Sequence, residues 1–520
     1  MTAVTAPEPA TVAELWRGAV RRFADRPVVH SDEDGTTLTY ADAGEVVARL
    51  ECRLAACGIG RGDRIVIVAP FRPESALVCW AVWCLGAVVV PLDPGLAGEA
   101  LAALCARVEP ALVFCGRGQA DVVAAMGVPA VQLEESPDRP GGLQPLADWL
   151  WEDVPAGAMG PGASGDDAAA ILFTSGTSGA ARGVVLSQSA LCRSGALMAA
   201  SYGWAPADVL LNLGELHTMS GLRNPCLAVL QAGCSLVAAS AAVRSSAPLV
   251  AACLQRRGAT LLACVPAMLL QFDRAGTRIP PGMLGSLRMA LCTGSRLPDA
   301  WAERFEARFG VPVLNYYGLT ETAGLCAGAV PGGGGRGTIG LPLGCRIALQ
   351  DEEGRPVAAG GTGELLIASG QLMTGYWRDP ERTAQVLRDG WFHTGDLVRQ
   401  APDGALILVD RRSETFKDAR GEFIQPAAIE QVLEAHPAVA EAGVCLRAGA
   451  DGGDHLAAFI VPRDEAVAWA ELEGDLRVFA AERLGHHRTP AEFLRTAALP
   501  RGTNEKLLRR ELRGNSHGLR

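Results

Sequence analysis

AAAILFTSGTSGAARGVVLSQ, residues 168–188, is the stretch that decides the fold of this 520-residue chain. Its apolar first part, Ala168 to Phe173, predicts a buried strand that runs into a turn of glycines and hydroxyl groups, Thr174 to Gly179. Glycine lets the backbone turn its N–H groups inward, the hydroxyls add donors, and Arg182 adds a positive charge. This combination favours a polyphosphate ligand, although the Walker pattern GxxxxGK[ST] is absent. A Ser/Gly-rich surface turn is the alternative that this stretch alone leaves open.

The sequence around this stretch predicts layered α/β structure. Helical patterns alternate with short β-branched runs to about residue 315, as in a helix over 45–56 followed by a turn and strand over 58–68. After residue 335, strand-like segments alternate with turns. From about Ile429, a helix–strand–strand–helix pattern predicts a compact end piece. A domain boundary near 410–413 is expected, where DRRSE interrupts an apolar strand.

Composition excludes several classes of protein. With 49% hydrophobic and 20% charged residues the chain is not disordered, and a net charge of −10 argues against nucleic-acid binding. The fifteen cysteines include no CxxC pair, and the histidines include no HExxH. The most apolar run, 76–90, ends at Pro91 and is shorter than the roughly 20 residues of a membrane span. It predicts a buried helix leading into a buried strand, and with no signal-peptide features the protein is expected in the cytoplasm, without a membrane span.

Lysine is almost absent from the chain. Of 47 basic residues, two are lysine, Lys417 and Lys506, and the rest are arginine. A lysine retained against this bias indicates a position that needs a compact ammonium group.

Segments on both sides of the quoted stretch extend it into a longer pattern. Before it stand LTYADAGEVVARL (38–50) and GAVVVPLDPG (86–95). After it come NYYGLTETAG (315–324), GELLIASGQLMTGYW (363–377), WFHTGDLVR (391–399), DRRSETFKDARGEFIQPAAIE (410–430) and LPRGTNEKLLRREL (499–512). Together with TSGTSGAARG they resemble, in sequence and in order, the motifs of the adenylate-forming superfamily. That superfamily includes acyl-CoA synthetases, aryl-acid ligases, adenylation domains of peptide synthetases and luciferases.

The resemblance implies an α/β fold with two domains. Residues 1–410 would form a large multi-sheet N-terminal domain that binds ATP and the acid. Residues 411–520 would form a small, mobile α+β C-terminal lid domain, with Ser413 at the hinge. The implied enzyme is an AMP-forming acid–thiol ligase, which makes an acyl-adenylate from ATP and a carboxylic acid and then transfers the acyl group to a phosphopantetheine thiol.

The resemblance also assigns roles to individual residues. The β- and γ-phosphates would contact Thr174, Ser175, Gly176, Thr177, Ser178, Gly179 and Arg182. The rest of the nucleotide would contact Gly294, Ser295, Asn315, Tyr316, Tyr317, Gly318, Thr320, Asp396 and Arg411, with Tyr317 stacking on adenine, Thr320 at the α-phosphate and Asp396 on the ribose hydroxyls. Glu321 would ligate Mg²⁺, a hard cation suited to one carboxylate plus phosphate oxygens. Lys506 would bridge the substrate carboxylate and the α-phosphate, and Lys417 would serve thioester formation.

Four features depart from the family pattern. Ala181 replaces a proline, Ser413 replaces the usual Asp or Lys, Glu505 replaces the glycine before the catalytic lysine, and the stretch 417–421 is one residue longer. An adenylation-only enzyme, a ligase with a non-thiol acceptor and a non-catalytic nucleotide-binding regulator therefore remain alternatives.

The segment 211–233 bears on the acid. It contains His217 and no aspartate, whereas amino-acid-activating relatives carry an aspartate for the substrate ammonium. By the resemblance, His217, Thr218 and Gly294 would line the pocket of a small aryl or short acyl acid; a core histidine is the alternative for His217. Glu215 could bind a substrate amine or face solvent. No carrier domain follows the last motif, so the thiol would come from CoA or a discrete carrier protein.

Overall fold

The structure is a computed structural model of the full chain. It describes residues 9–96, 98–135, 140–152, 162–174, 181–330, 336–411, 416–417, 423–424, 426–448, 454–464, 466–484, 488–501 and 507–514.

Helices and strands alternate along most of the described chain. The helices are α1 (Val12–Phe23), α2 (Tyr40–Ala56), α3 (Pro73–Cys84), α4 (Gly98–Val108), α5 (Ala120–Ala125), α6 (Leu146–Trp151), α7 (Gln188–Ser201), α8 (Met219–Arg223), α9 (Val229–Ala232), α10 (Ala241–Arg244), α11 (Ala247–Arg257), α12 (Pro266–Ala275), α13 (Asp299–Phe309), α14 (Pro380–Val386), α15 (Pro426–Glu434), α16 (Trp469–Leu484) and α17 (Arg509–Gly514). The strands are β1 (Pro27–Ser31), β2 (Thr37–Thr39), β3 (Arg64–Val68), β4 (Val88–Pro91), β5 (Leu112–Cys115), β6 (Ala130–Gln132), β7 (Gln144–Pro145), β8 (Ala168–Thr174), β9 (Arg182–Ser187), β10 (Val209–Asn212), β11 (Ser235–Ala238), β12 (Leu261–Cys264), β13 (Met289–Cys292), β14 (Val313–Leu319), β15 (Gly324–Gly328), β16 (Leu341–Pro342), β17 (Arg346–Gln350), β18 (Thr362–Ala368), β19 (Gly375–Tyr376), β20 (Leu387–Arg388), β21 (Trp391–Gln400), β22 (Leu406–Arg411), β23 (Phe416–Lys417), β24 (Phe423–Ile424), β25 (Val439–Ala448), β26 (Asp454–Pro462) and β27 (Glu492–Arg495).

Two large mixed sheets dominate the described structure. One has the order β19-β9-β8-β4-β3-β5-β6-β7 and the other β16-β15-β14-β13-β12-β10-β11-β1-β2. Their central strands are parallel, and β8–β9 and β14–β15 are antiparallel pairs. A third sheet has the order β17-β18-β21-β20, with β22 also paired to β21. The predicted multi-sheet α/β architecture is confirmed.

The apolar run 76–90 forms a buried helix and a buried strand, as predicted. Within α3, Trp80 stacks on Trp16 with ring centroids 4.4 Å apart. The indole N–H of Trp83 donates to the carbonyl oxygen of Ala169 on β8 at 2.8 Å. Because buried indoles need an acceptor, this bond fixes the helix against the strand that leads into the glycine-rich loop.

The C-terminal part folds as the predicted helix–strand–strand–helix unit, from α15 through β25 and β26 to α16. Its strands form a sheet of order β25-β26-β27. Among the described residues, ion pairs join it to the preceding part of the chain: Arg296–Glu434 at 3.3 Å, Arg274–Glu441 at 3.7 Å and Arg463–Asp273 at 3.8 Å. Charged side chains thus contribute to the contact between this C-terminal unit and the rest of the described chain.

No described helix is long and apolar enough to cross a membrane. All fifteen cysteines lie in described stretches, and each is a free thiol there.

Candidate active site

The strands that flank the glycine-rich loop form a hairpin. β8 pairs antiparallel with β9, and Thr174 lies opposite Arg182. Both side chains are half-buried at the base of the loop. Arg182, the predicted positive charge of the phosphate site, therefore lies next to Thr174, the first of the residues predicted to contact phosphate. The other predicted phosphate ligands, Ser175, Gly176, Thr177, Ser178 and Gly179, lie outside the described residues.

The motif at 315–324 forms a strand end and a tight return. β14 ends at Leu319, and a 3₁₀ turn, Thr320–Thr322, reverses the chain into β15. The Thr322 hydroxyl accepts the Leu319 N–H at 3.1 Å and holds the turn closed. Ligands of α/β sheets bind where the parallel strands end, and the turn presents Glu321 at that edge.

Glu321 is held by a tyrosine from the neighbouring sheet. The Tyr376 hydroxyl donates to Oε1 of Glu321 at 2.9 Å. Tyr376 lies on β19, opposite Val184 of β9, and so Glu321 stands beside the hairpin that carries Arg182. Burial and the Glu321 carboxylate raise the pKa of Tyr376, and the hydroxyl stays a donor. Tyr376 is part of a quoted motif, but chain spacing gives no reason to pair it with a residue 55 positions away.

A second contact ties β14 to β21. The Tyr317 hydroxyl donates to Oδ2 of Asp396, whose side chain is almost fully buried at 1% exposed. The Thr394 hydroxyl accepts the backbone N–H of Asp396 at 3.0 Å and orients it. Arg411 on β22 lies directly opposite Asp396 in the strand register. The predicted adenine-stacking and ribose-binding residues are therefore neighbours.

The remaining predicted nucleotide residues line the same strand edge. Gly294 and Ser295 follow β13, and Gly294 has a φ of +98° that favours glycine. The hydroxyl of Thr293 donates to the carbonyl oxygen of Tyr316 at 2.9 Å, which fastens this loop to β14. Asn315 donates from Nδ2 to the Thr338 carbonyl at 3.3 Å. The loop 293–295 and β14 thus form one continuous wall.

His217 precedes α8 and is largely buried, with 10% of its side chain exposed. Burial lowers its pKa, and neither ring nitrogen has a hydrogen-bond partner in the part of the chain that the structure describes. The nearest carboxylate oxygen is Oδ2 of Asp93, 3.9 Å from Nε2. His217 is therefore a neutral ring. Thr218 caps α8, since its hydroxyl accepts the Gly221 N–H at 3.1 Å.

Glu215, the acid beside this histidine, is held by protein groups. Its Oε1 lies 2.9 Å from Nη2 of Arg244, and its Oε2 accepts the backbone N–H of Phe71 at 3.2 Å. The carboxylate is thus already engaged, an arrangement that neither sequence interpretation included.

The residues predicted for the lid are described only in part. Lys417 lies on β23, opposite Phe423 of β24, and its side chain is outside the described residues. Ser413, Lys506 and the side chain of Arg411 also lie outside them. Their roles stay predictions.

Comparisons with known proteins decide the family. The sequence profile described as AMP-binding enzyme matches residues 16–377, and that of the AMP-binding enzyme C-terminal domain matches residues 428–506. The chain belongs to the adenylate-forming AMP-binding enzyme family. It is an AMP-forming acid–thiol ligase that binds ATP, with the predicted α/β fold, a large multi-sheet N-terminal domain and a small C-terminal domain.

Similar proteins match this adenylate-forming chain almost end to end. The sulfoacetate–CoA ligase of Cupriavidus necator is 30% identical over 98% of this chain and 99% of that protein. A feruloyl-CoA synthase of an Amycolatopsis species is 30% identical over 92% of this chain and 94% of that protein. The crystal structure of an anthranilate CoA ligase in complex with anthranoyl-AMP is 20% identical and superposes with a TM-score of 0.89 over 99% of this chain and 98% of that chain.

Proposed function

We propose that this enzyme converts a small aryl or short acyl acid to its acyl-adenylate, with release of pyrophosphate, and then passes the acyl group to a phosphopantetheine thiol. The observation that carries the proposal is the end of β14. There Tyr317 reaches Asp396 in one direction, and Glu321 reaches Tyr376 and the hairpin of Arg182 in the other. A nucleoside triphosphate has the same order, a ribose at one end and phosphates at the other.

In the first step an oxygen of the substrate carboxylate attacks the α-phosphorus, and the bond from that phosphorus to pyrophosphate breaks. Two anions meet, so cations must offset the developing charge. We assign that work to Arg182 at the β- and γ-phosphates and to Lys506 between the carboxylate and the α-phosphate. Thr320 at the start of the turn would donate to the α-phosphate, and Asp396 would accept the ribose hydroxyls.

Glu321 fits a magnesium site of the kind that phosphate substrates complete. It offers one carboxylate, oriented by Tyr376, beside the phosphate hairpin. Mg²⁺ bound there would neutralise the phosphate charge of ATP, as one carboxylate plus phosphate oxygens suits this ion.

The second step requires the lid domain to turn. Lys506 and Lys417 lie on different motifs of that domain, and rotation about Ser413 would bring first one and then the other to the nucleotide. The ion pairs Arg296–Glu434 and Arg463–Asp273 would have to break during this exchange.

The acid class is supported by the wall at 216–222. Leu216, Met219 and Leu222 lie in the same segment as His217 and are buried apolar residues, and burial lowers the pKa of the His217 ring. Of the similar proteins, one is a sulfoacetate–CoA ligase and another is a feruloyl-CoA synthase. Their names thus indicate one short acid and one aryl acid. We propose CoA as the first acceptor to test, with a discrete carrier protein second.

A mass-spectrometric screen tests the proposal. Candidate acids are incubated with ATP, Mg²⁺ and either CoA or a carrier protein. Formation of a thioester together with AMP supports it. Adenylate without thioester, or an amide in the presence of amines, would favour the adenylation-only or non-thiol alternatives. ATP binding without any turnover would favour a regulator.

A further inference from the structure

Arg223, the last residue of α8, is a completely buried arginine with no carboxylate partner in the described part of the chain. Its side chain is 0% exposed. Nε donates to Oδ1 of Asn224 at 3.0 Å, and Nη2 donates to the Tyr316 hydroxyl at 3.0 Å. Nη1 is buried and has no hydrogen-bond partner among the described residues. A buried charge is costly unless it is paired, so this guanidinium points to a missing anion.

The surroundings of Arg223 do not supply that anion. Nδ2 of Asn224 in turn donates to Oδ1 of Asn212, a neutral amide oxygen, at 3.2 Å. The Tyr202 ring lies 6.2 Å from the Tyr316 ring, and its buried hydroxyl also lacks a partner in the described structure. The cluster therefore consists of neutral amides and phenols around one positive charge, with two donor groups unused.

The guanidinium lies between the two segments assigned to the acid and to the α-phosphate. Arg223 and Met219 are one turn apart on α8, the helix that Thr218 caps next to His217. On the other side, a Cβ placed on Gly324 would lie 2.3 Å from Nη1 and 3.2 Å from Cγ of Met219. Gly324 begins β15, two residues after the turn that carries Glu321. A glycine at this point lets the guanidinium pack directly against the start of β15.

We propose that Arg223 is a specificity-determining residue that binds a second anionic group, a carboxylate or sulfonate, at the end of the acid remote from the reacting carboxylate. This inference rests on the proposed function and narrows its substrate class to acids with two anionic groups. The second anionic group of a short or aryl diacid would neutralise the charge of Arg223 and accept hydrogen bonds from Nη1 and the Tyr202 hydroxyl. The same positive charge disfavours an α-ammonium group.

Matched acid pairs test this assignment by acid-dependent ATP–pyrophosphate exchange. The pairs are propionate with malonate, 4-methylbenzoate with terephthalate, and acetate with sulfoacetate, which separates carboxylate from sulfonate. In at least one pair we expect kcat/KM of the wild-type enzyme to be about 100-fold higher for the doubly anionic acid. Exchange without a preference for the doubly anionic acid in any pair would overturn the assignment and leave the proposed function intact, whereas no exchange with any acid would count against the proposed function itself.

Two variants separate substrate binding from a purely structural role. Arg223→Gln should lower kcat/KM for the preferred doubly anionic acid about 100-fold and change kcat/KM for its singly anionic partner by less than about threefold. Arg223→Lys should restore part of the preference because it restores the charge. An equal loss for both acids in a variant that unfolds at the wild-type temperature would contradict the assignment. The comparison of paired acids uses the wild-type enzyme, so it tests the role of Arg223 even if Arg223→Gln does not fold.

Discussion

At the scale of single residues, the Glu321 carboxylate depends on one hydroxyl for its position. Tyr376→Phe removes the donor at 2.9 Å and keeps the buried ring. Since a hydrogen bond to a charged group stabilises its geometry, we expect exchange activity to fall about tenfold, with a higher Mg²⁺ concentration needed for half-maximal rate. The measurement is exchange rate against Mg²⁺ concentration at fixed ATP.

Tyr40→Phe is the matched control. The Tyr40 hydroxyl is buried in the core and donates to the carbonyls of Val229 and Cys234. Its loss should lower the free energy of unfolding by about 1 kcal/mol and leave the Mg²⁺ dependence unchanged. If Tyr376→Phe showed the same unchanged Mg²⁺ dependence, Tyr376 would not position Glu321.

The sequence motifs predict Glu321, Asp396 and Tyr317 as site residues because each lies inside a short motif whose place in the chain order is known. They do not predict Tyr376 as the partner of Glu321, nor the buried charge of Arg223, because both follow from strand and helix pairing across long stretches of chain. The Arg244–Glu215 pair was missed for the same reason.

At the scale of elements, the hairpin β14–β15 is packed too closely for a side chain at Gly318. A Cβ there would lie 1.2 Å from the carbonyl oxygen of Gly324, and one strand must move to accept it. We expect Gly318→Ala to lower the free energy of unfolding by about 3 kcal/mol. Because Glu321 follows three residues later, exchange should fall about 100-fold.

Gly310→Ala is the matched control for this substitution. Gly310 ends α13 with a φ of +69°, and nothing lies within 4 Å of an added Cβ. The expected cost is about 1 kcal/mol of unfolding free energy, without loss of exchange. Equal exchange activities for Gly318→Ala and Gly310→Ala would show that the spacing of the β14–β15 hairpin does not determine the position of Glu321. Chemical denaturation and exchange assays measure both effects.

Element type and order were predictable where periodicity was strong, as in α2, α3 and β8. The segment after Arg223 was not. There the helix widens into a π segment, Asn224–Ala228, with a proline at its second position. Apolar spacing indicates a helix through this region, but it does not distinguish an α-helical from a π-helical turn.

At the scale of the whole molecule, Glu434 links the pH to the stability of the fold. Burial raises its pKa from 4.5 to about 7, against the opposing charge of Arg296. Between pH 4.5 and about 7, Glu434 is therefore protonated in the folded chain and deprotonated in the unfolded chain. Stability from this group is fully present below pH 4.5 and is lost as the pH rises to about 7, a change of about 3 kcal/mol.

Glu434→Gln should remove that slope. Urea unfolding between pH 5 and pH 8 is the measurement, and the variant should gain stability relative to wild type as the pH rises. Glu353→Gln is the control, since Glu353 is exposed and pairs with Arg355 at the surface. If the two variants showed the same pH dependence, the raised pKa of Glu434 would be refuted.

The sequence predicted two domains and their order, because motif order follows the chain. It could not predict which charged side chains join the C-terminal domain to the rest of the chain, since Arg296 and Glu434 lie 138 positions apart. The boundary at 410–411 and the hinge at Ser413 stay predictions.

We propose that this chain forms acyl-adenylates with Lys506 as the cation between the two reacting anions. Acid-dependent ATP–pyrophosphate exchange measures that step directly, in wild type and in Lys506→Ala. We expect exchange with at least one small acid in wild type, near-background exchange in the variant, and retained thiolysis of preformed adenylate by the variant. Folded wild-type protein that exchanges with no acid in the presence of Mg²⁺, or undiminished exchange by Lys506→Ala, would contradict it.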